Sequence, residues 1–288
     1  MKTYLDCIPC FIKQSLEASR MATDNEKIHS EVLKSLMTFL SSISYKNSPP
    51  EVSKEVHEII RNITKSKDPY KKVKYDSNKM AKKRYPHLKK IVEEADDPLL
   101  MAVKFAIVGN VIDFGTTNRF NVDDIIANTL KKSFDDRAYS KFKKSLFNAN
   151  TILYLADNCG EIFFDKLLIE NLLKENKELI YVVRANPIIN DATVQDAKFA
   201  GIDKIAKVIE GDAGQKKSAP GIVLNFASKK FSEYFQYADM VISKGQGNYE
   251  GLSDVKRDVF FMLIVKCPLV ARDIDSEVGK LILKLNKE

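Results

Sequence analysis

Acidic and amide side chains suited to binding a metal ion stand in two short polar segments of the second half of the chain. Asp157 and Asn158 occur together in the first segment, and Asp191 occurs in the second. Carboxylate and amide oxygens are the hard ligands that Mg²⁺ and Mn²⁺ prefer, and these ions keep positions open for water and phosphate oxygens. Asp and Asn are also strong helix caps. An equally open interpretation is therefore that Asp157 caps one helix and that Asn190 or Asp191 caps the next.

A glycine-rich segment further along adds a lysine and more amides. Gly245 and Gly247 would let the backbone approach an anion closely, and Lys244 would supply a positive charge. With Gly251 the spacing is one residue longer than the dinucleotide fingerprint, so a dinucleotide- or S-adenosylmethionine-binding protein such as a methyltransferase is the alternative interpretation. The remaining polar candidates in this segment are Gln246, Asn248 and Glu250.

Strands and helices alternate from residue 148 onwards, and they would position these segments. Short β-branched runs at 151–156, 179–183, 206–209, 240–242 and 260–265 are separated by helical stretches, notably 161–174, 190–200 and 223–235. This alternation predicts an α/β fold with a three-layer α/β/α, Rossmann-like core. Ligands of such sheets bind beyond the carboxyl ends of the strands, where every candidate segment falls. Two basic residues are further candidates for binding the substrate: Arg184 follows the second predicted strand, and Lys266 follows the fifth.

The first half of the chain has helical periodicity. Apolar residues recur at three- and four-residue spacing in 26–43, 51–64 and 99–112, and prolines at 49, 50, 69, 86 and 98 fall where helices would begin. We therefore predict a mostly helical N-terminal subdomain at 1–147 and a metal- and substrate-binding domain at 148–288. Asn110 and Asp113 are three residues apart, so they share a helix face that would line the cleft.

Composition and charge narrow the classes of protein. Hydrophobic residues make up 44% and charged residues 30% of the 288 residues, which is typical of a globular protein. Lys and Arg outnumber Asp and Glu by 46 to 39, a net charge of +7 that favours anionic partners such as phosphates, phospho-metabolites or nucleic acid without selecting among them. The basic run at 71–90 is predicted to be a solvated face, because no nucleic-acid docking motif accompanies it. No apolar run is long enough to predict a membrane span, and four cysteines predict a cytoplasmic location.

Cys7 and Cys10 form a CxxC pair near the N-terminus. The pair could be half of a zinc site, but no second CxxC or His pair completes it, and Cys159 or Cys267 could do so only if the fold brings them close. A nucleic-acid-binding protein with zinc at this pair is a third interpretation, and a redox pair would normally follow a strand in a thioredoxin-like context. A structural or subfamily-specific role is the simplest explanation.

Three sequence motifs together resemble the signatures of the damage-control phosphatase family, also called domain of unknown function 89. The CxxC pair resembles the mark of its archaeal and bacterial subfamily. The matching motifs are Asp157-Asn-Cys-Gly-Glu161, Arg184-Ala-Asn-Pro-Ile-Ile-Asn-Asp-Ala-Thr193 and Lys244-Gly-Gln-Gly-Asn-Tyr-Glu250. Cys159 stands where the family usually has alanine, and both residues are small.

The resemblance implies a metal-dependent phosphatase with Mn²⁺, Mg²⁺, Co²⁺ or Ni²⁺ as cofactor. By this similarity Asp157, Asn158 and Asp191 would bind the metal and carry the catalysis. Glu161 and the 244–248 segment would contact the substrate, a small phosphorylated metabolite such as a sugar phosphate, a nucleotide or a phosphopantetheine-like compound. Lys266 would meet its phosphate. Attack by water and attack by an aspartate are both compatible with these motifs.

Overall fold

The computed structural model describes residues 1–109, 127, 136–175, 177–214 and 218–286. Its helices are α1 (Cys7–Ala22), α2 (Glu26–Leu40), α3 (Pro49–Thr64), α4 (Lys71–Glu93), α5 (Pro98–Val108), α6 (Asp136–Asn148), α7 (Ile162–Leu172), α8 (Val194–Ala200), α9 (Lys229–Tyr237), α10 (Gln246–Leu252) and α11 (Pro268–Asp273). Its strands are β1 (Thr151–Leu155), β2 (Glu178–Val183), β3 (Lys207–Glu210), β4 (Met240–Lys244), β5 (Phe260–Ile264) and β6 (Leu281–Leu285). Within these ranges, no helix is both long and apolar enough to cross a lipid bilayer.

The helix starts follow local capping chemistry. Ser48 and Glu51 form a capping box at the start of α3, and the Asp97 side chain accepts a hydrogen bond from the Leu100 N–H at the start of α5. The prediction that a helix begins at Pro86 is wrong, because this proline lies inside α4. Packing of α4 against α5 and α7 offsets the backbone hydrogen bond that a proline removes. The predicted helix at 223–235 begins only at residue 229, after a short 3₁₀ turn.

The strands form one six-stranded sheet in the order β3-β2-β1-β4-β5-β6. All neighbouring strands are parallel except β5 and β6, which are antiparallel. In the central register, Leu153 of β1 lies between Ile180 of β2 and Val241 of β4. The five predicted strands are confirmed, whereas β6 is an additional strand that the sequence patterns did not predict.

Helices cover both faces of the sheet, which confirms the three-layer α/β/α prediction. Side chains of β1 alternate between the two apolar cores: Tyr154 belongs to the core that contains Phe105 and Phe164, and Leu153 belongs to the core that contains Phe231. Helices α4 to α8 contribute to the first core, and α9 to α11 contribute to the second. Helices α1 to α3 form a third cluster of their own.

The sheet has a topological switch point between β1 and β4. From β1 the chain proceeds to β2 and β3, and it then returns to the other side of β1 as β4. The connections after β1 and β4 therefore diverge to opposite faces and leave a crevice at their carboxyl ends. Asp157 follows β1 directly, and Lys244 ends β4.

Candidate active site

The loops after β1 and β2 are joined by backbone hydrogen bonds. The Cys159 N–H donates to the Asn190 carbonyl at 2.8 Å, and the Ala192 N–H donates to the Asp157 carbonyl at 2.8 Å. Between these two bonds, Asn158 and Asp191 pair as an isolated antiparallel bridge. The structure thus brings together the three residues that the sequence analysis selected as oxygen ligands.

The helix-cap interpretation of these residues is wrong. The residue that precedes α7 is Glu161, which makes no capping bond with its side chain. Helix α8 begins after Thr193, whose hydroxyl and backbone N–H are both held by the Asp196 carboxylate in a capping box. Asp157 and Asp191 are therefore positioned by the bridge between the two loops and not by the helix starts.

The Asp157 carboxyl is buried in a crowded acidic environment. Burial, followed by the charges of Glu161 and Asp191, raises its pKa well above the ordinary value. The Asn158 amide donates to Asp157 Oδ2 at 2.7 Å and to Glu161 Oε2 at 3.2 Å. The donor set consists of oxygen atoms from carboxylates and one amide, which is the chemistry that a hard divalent cation requires.

Arg184 holds Asp191 in place from beneath the site. Its Nε donates to Asp191 Oδ2 at 2.8 Å, and its second guanidinium nitrogen donates to Asn248 Oδ1 at 2.8 Å. Burial raises the pKa of Asp191 to about 6, although the arginine opposes this shift. Arg184 is itself 2% exposed, so its guanidinium joins the β2 loop to α10 inside the protein.

Lys244 lies at the centre of a buried ionic network. Its ammonium donates to Glu161 Oε1 at 2.5 Å and to Asp165 Oδ1 at 2.8 Å. Asp165 also accepts hydrogen bonds from the hydroxyls of Tyr154 and Tyr181. Burial would lower the pKa of Lys244, but Asp165 and Glu161 raise it. The lysine is completely buried, so in this arrangement it acts on the site through Glu161.

The two glycines after Lys244 are in contact with protein groups. Gly245 has φ +80°, and a Cβ at this position would lie 1.9 Å from Asp157 Oδ2. A Cβ on Gly247 would lie 2.2 Å from the Pro220 carbonyl oxygen, and one on Gly221 would lie 2.3 Å from the Gly247 carbonyl oxygen. Both glycines therefore let the backbone approach other groups of this chain closely, and this packing is sufficient to explain why glycine occupies both positions.

We expect Gly245→Ala to lower both stability and activity, because the new methyl group would collide with the Asp157 carboxylate. Gly279→Ala is the matched control, since Gly279 has φ +89° and a Cβ added there would meet nothing within 4 Å. The control should cost only the left-handed backbone penalty, about 1–2 kcal/mol. Urea denaturation should show a larger loss for Gly245→Ala, and equal losses in the two variants would contradict the proposed contact.

The remaining candidates of this segment have different environments. Asn248 is fully buried, and its amide donates to the carbonyls of Ala156 and Lys244. Gln246 donates to Glu250 Oε1 at 2.8 Å and accepts from the backbone N–H of Lys266 at 3.1 Å. Lys266 is exposed, and its charge lowers the pKa of Asp157, so its side chain is available to a ligand at the rim.

The pKa of Glu250 is raised by burial from 4.5 to about 7. When the pKa of a carboxyl is higher in the folded state than in the unfolded state, the protein loses stability as that carboxyl ionises. The contribution of Glu250 to folding stability is therefore complete below pH 4.5 and lost above about pH 7. Glu250→Gln keeps the acceptor for Gln246 but cannot ionise. We expect this variant to be about 1–2 kcal/mol more stable than the parent protein at pH 8 and equal to it near pH 4.5. Denaturation at the two pH values measures this difference.

The exposed Glu277→Gln is the control for this prediction. It should show no pH-dependent gain in stability, and a similar gain there would count against the argument that burial raises the pKa of Glu250.

Helix α4 contributes residues to the site that the sequence analysis missed. Asn78 accepts a hydrogen bond from the Gly160 N–H at 2.7 Å and donates to Asp196. Lys74 lies one turn earlier, buried in an ion pair with Asp68, which corrects the view that residues 71–90 are wholly solvated. The spacing of four residues between Lys74 and Asn78 was the available signal. Both side chains line a cleft of about 600 Å³ beside the Asp191 loop.

Two further observations bound the metal-ligand assignment. Asn110 and Asp113, predicted to line the cleft, lie outside the residues that the structure describes. Within the described ranges, no group of three His, Cys, Asp or Glu side chains could hold a metal ion. The candidate set is of a different kind, because it combines the carboxylates of Asp157 and Asp191 with the amide of Asn158.

Comparisons with known proteins agree with one another over nearly the whole chain. The family model described as damage-control phosphatase ARMT1-like domain matches residues 3–282. A damage-control phosphatase of Pyrococcus horikoshii is 34% identical, with 100% of this chain and 99% of that protein aligned. One of Archaeoglobus fulgidus is 32% identical, with 97% of each chain aligned. The crystal structure of a DUF89 family protein from P. horikoshii superposes with a TM-score of 0.88 at 32% identity, covering 99% of both chains.

Proposed function

Because the chain belongs to the damage-control phosphatase family, we propose that it is a divalent-metal-dependent phosphatase acting on small phosphorylated metabolites. One observation carries the metal assignment: backbone hydrogen bonds between the loops after β1 and β2 bring Asp157, Asn158 and Asp191 together. We also propose that it acts in the cytoplasm, in keeping with its four unpaired cysteines.

Asp157, Asn158 and Asp191 fit Mn²⁺, Mg²⁺, Co²⁺ or Ni²⁺ as ligands. All three can present oxygen atoms, and the two carboxylates are buried close enough for one to raise the pKa of the other. When bound, the cation would hold a phosphoryl oxygen and offset the negative charge that develops in the transition state.

The other side chains of the proposed site divide into positioning and binding groups. Arg184 fixes the orientation of Asp191, and Lys244 fixes that of Glu161. Lys266, exposed at the rim, binds a second phosphate oxygen. In this proposal a water attacks phosphorus while the ester oxygen leaves with the rest of the metabolite, and Asp157 or Asp191 orients that water and accepts its proton.

The proposal predicts that activity depends on an added metal ion. Metal-stripped protein should lose hydrolysis of a generic ester such as p-nitrophenyl phosphate and regain it when Mn²⁺, Mg²⁺, Co²⁺ or Ni²⁺ is supplied. Full activity that survives exhaustive chelation would overturn the metal requirement. Ca²⁺ is a suitable control, because it prefers more ligands at longer distances.

The substrate class is tested by a screen with the best of these metals. Sugar phosphates, nucleotides and phosphopantetheine-like compounds should include at least one that is hydrolysed more efficiently than the generic ester, since remote contacts lower the barrier only for a substrate that fits. Saturable S-adenosylmethionine binding without metal, and no phosphate release from any ester, would favour the methyltransferase alternative.

A further inference from the structure

Cys7, Cys10 and Cys267 line the same cavity, and the phosphatase site proposed above includes none of them. The cavity has a volume of about 260 Å³ and lies between α1, α3 and the segments that follow β4 and β5. Cys10 is exposed, whereas Cys7 and Cys267 are partly buried. Cys159, the remaining cysteine, is buried elsewhere against the Asp191 carbonyl. The fold has thus gathered three of the four thiols around one opening to solvent.

The CxxC pair has a geometry that permits a disulfide. Cys7 is the first residue of the 16-residue α1, and Cys10 follows three residues later, so both side chains lie on one face of the first turn. Residues with this spacing have Cα atoms within the range of about 4.4–6.8 Å that disulfides span. The Tyr4 N–H donates to Cys7 Sγ at 3.4 Å, which holds this thiol at the helix start.

The two thiols of the pair differ in their access to solvent. Burial, opposed by the Tyr4 hydrogen bond, raises the pKa of Cys7, and the neighbouring Glu250 adds to the rise. Cys10, which is exposed, meets solutes first. A thiol that solutes reach and a second thiol that is shielded behind it are the two parts of a thiol–disulfide exchange site.

We propose that Cys10 and Cys7 form a thiol–disulfide exchange site that takes a low-molecular-weight disulfide into the cavity they line. The Cys10 thiolate attacks one sulfur of the small disulfide, forms a mixed disulfide and releases the first small thiol. Cys7 then loses its proton and attacks Cys10 Sγ, which forms the Cys7–Cys10 disulfide and releases the second small thiol. The small disulfide is the oxidant: it is reduced to two small thiols, and Cys7 and Cys10 supply the two electrons.

Cystamine is the probe, because its amino groups suit the acidic side chains of Asp6 and Glu250 in the cavity lining. The full-length reduced protein, incubated with cystamine and analysed by intact mass and peptide mapping, should lose two hydrogens and carry no adduct, with the bridge mapped to Cys7 and Cys10. Cys7→Ser should instead retain half of the probe on Cys10. Cys10→Ser should react at least about tenfold more slowly, because the accessible thiol is gone.

Two control variants separate this site from general thiol reactivity. Cys267→Ser shares the cavity but lies outside the pair, and Cys159→Ser removes the distant thiol; both should still form the Cys7–Cys10 bridge. A stable adduct in the parent protein, a bridge mapped to other cysteines, or no reaction would overturn the proposal. Stoichiometric zinc that is retained by the parent protein and lost in Cys7→Ser would overturn it as well. None of these readouts depends on phosphatase activity, so a failure here leaves the proposed function untouched.

Discussion

Replacing Asp157 with Asn should abolish the phosphatase activity while leaving the protein folded. The variant keeps the shape and one oxygen but loses the charge through which the residue would bind a divalent cation. A bound cation contributes several kcal/mol of transition-state stabilisation, so kcat/KM should fall on the order of 10³-fold or more. Steady-state kinetics on p-nitrophenyl phosphate with saturating Mn²⁺ measure this loss.

A stability measurement distinguishes loss of metal binding from damage to the fold. The pKa of Asp157 is raised by burial and by two neighbouring carboxylates, so its ionised form destabilises the metal-free protein. Metal-free Asp157→Asn should therefore melt at or above the temperature of the metal-free parent. Mn²⁺ should raise the melting temperature of the parent alone, because only the parent binds it tightly. The exposed Asp203→Asn should match the parent in every assay. Turnover retained by Asp157→Asn would refute the assignment of this residue.

Replacing Lys244 with Met should cost about 3–5 kcal/mol of folding stability, the largest loss we expect from a single substitution here. Lys244, Glu161 and Asp165 are each no more than 1% exposed. Methionine fills similar volume but leaves two carboxylates buried without the ammonium that bonds them. Activity should fall too, because Glu161 loses the partner that orients it. Urea denaturation at pH 7.5 measures the loss of stability.

Two comparison variants test whether the charge causes this loss. Lys266→Met removes an exposed lysine from the same edge of the sheet and should change stability by no more than about 0.5 kcal/mol. The double variant Lys244→Met, Asp165→Asn also removes one of the two carboxylates left without a positively charged partner. It should recover part of the folding stability that Lys244→Met loses. If the double variant were less stable than Lys244→Met alone, lost packing would be the better explanation.

The convergence of the candidate metal ligands could be predicted because it follows from topology. Asp157 and Asp191 come after strands that are consecutive in the chain, and consecutive parallel strands with a helical crossover usually lie side by side. The fold class followed from the same alternation. Whether these residues cap helices could not be decided from residue types, since Asp and Asn suit both roles; the backbone bonds between the two loops decide it.

Contacts between distant parts of the chain account for what the sequence did not indicate. Lys244 ends an apolar strand, and nothing local shows that Glu161, 83 residues earlier, meets it in the interior. The Asn78 contact with Gly160 spans 82 residues. Gly245 makes a close approach to the Asp157 carboxyl group of the same protein, a contact that the sequence did not indicate.

The close contact of Gly221 with Gly247 has a consequence for how the substrate range of this enzyme could change. Neither glycine can take a methyl group without a collision, so the start of α10 packs closely against residues 220–222 only while both positions stay glycine. We expect a bulkier metabolite to be accommodated instead along the wall of the larger cleft that carries Tyr75 and Phe199, whose rings are exposed. Laboratory evolution toward a broader or narrower range should accumulate its substitutions along that wall and spare the glycines.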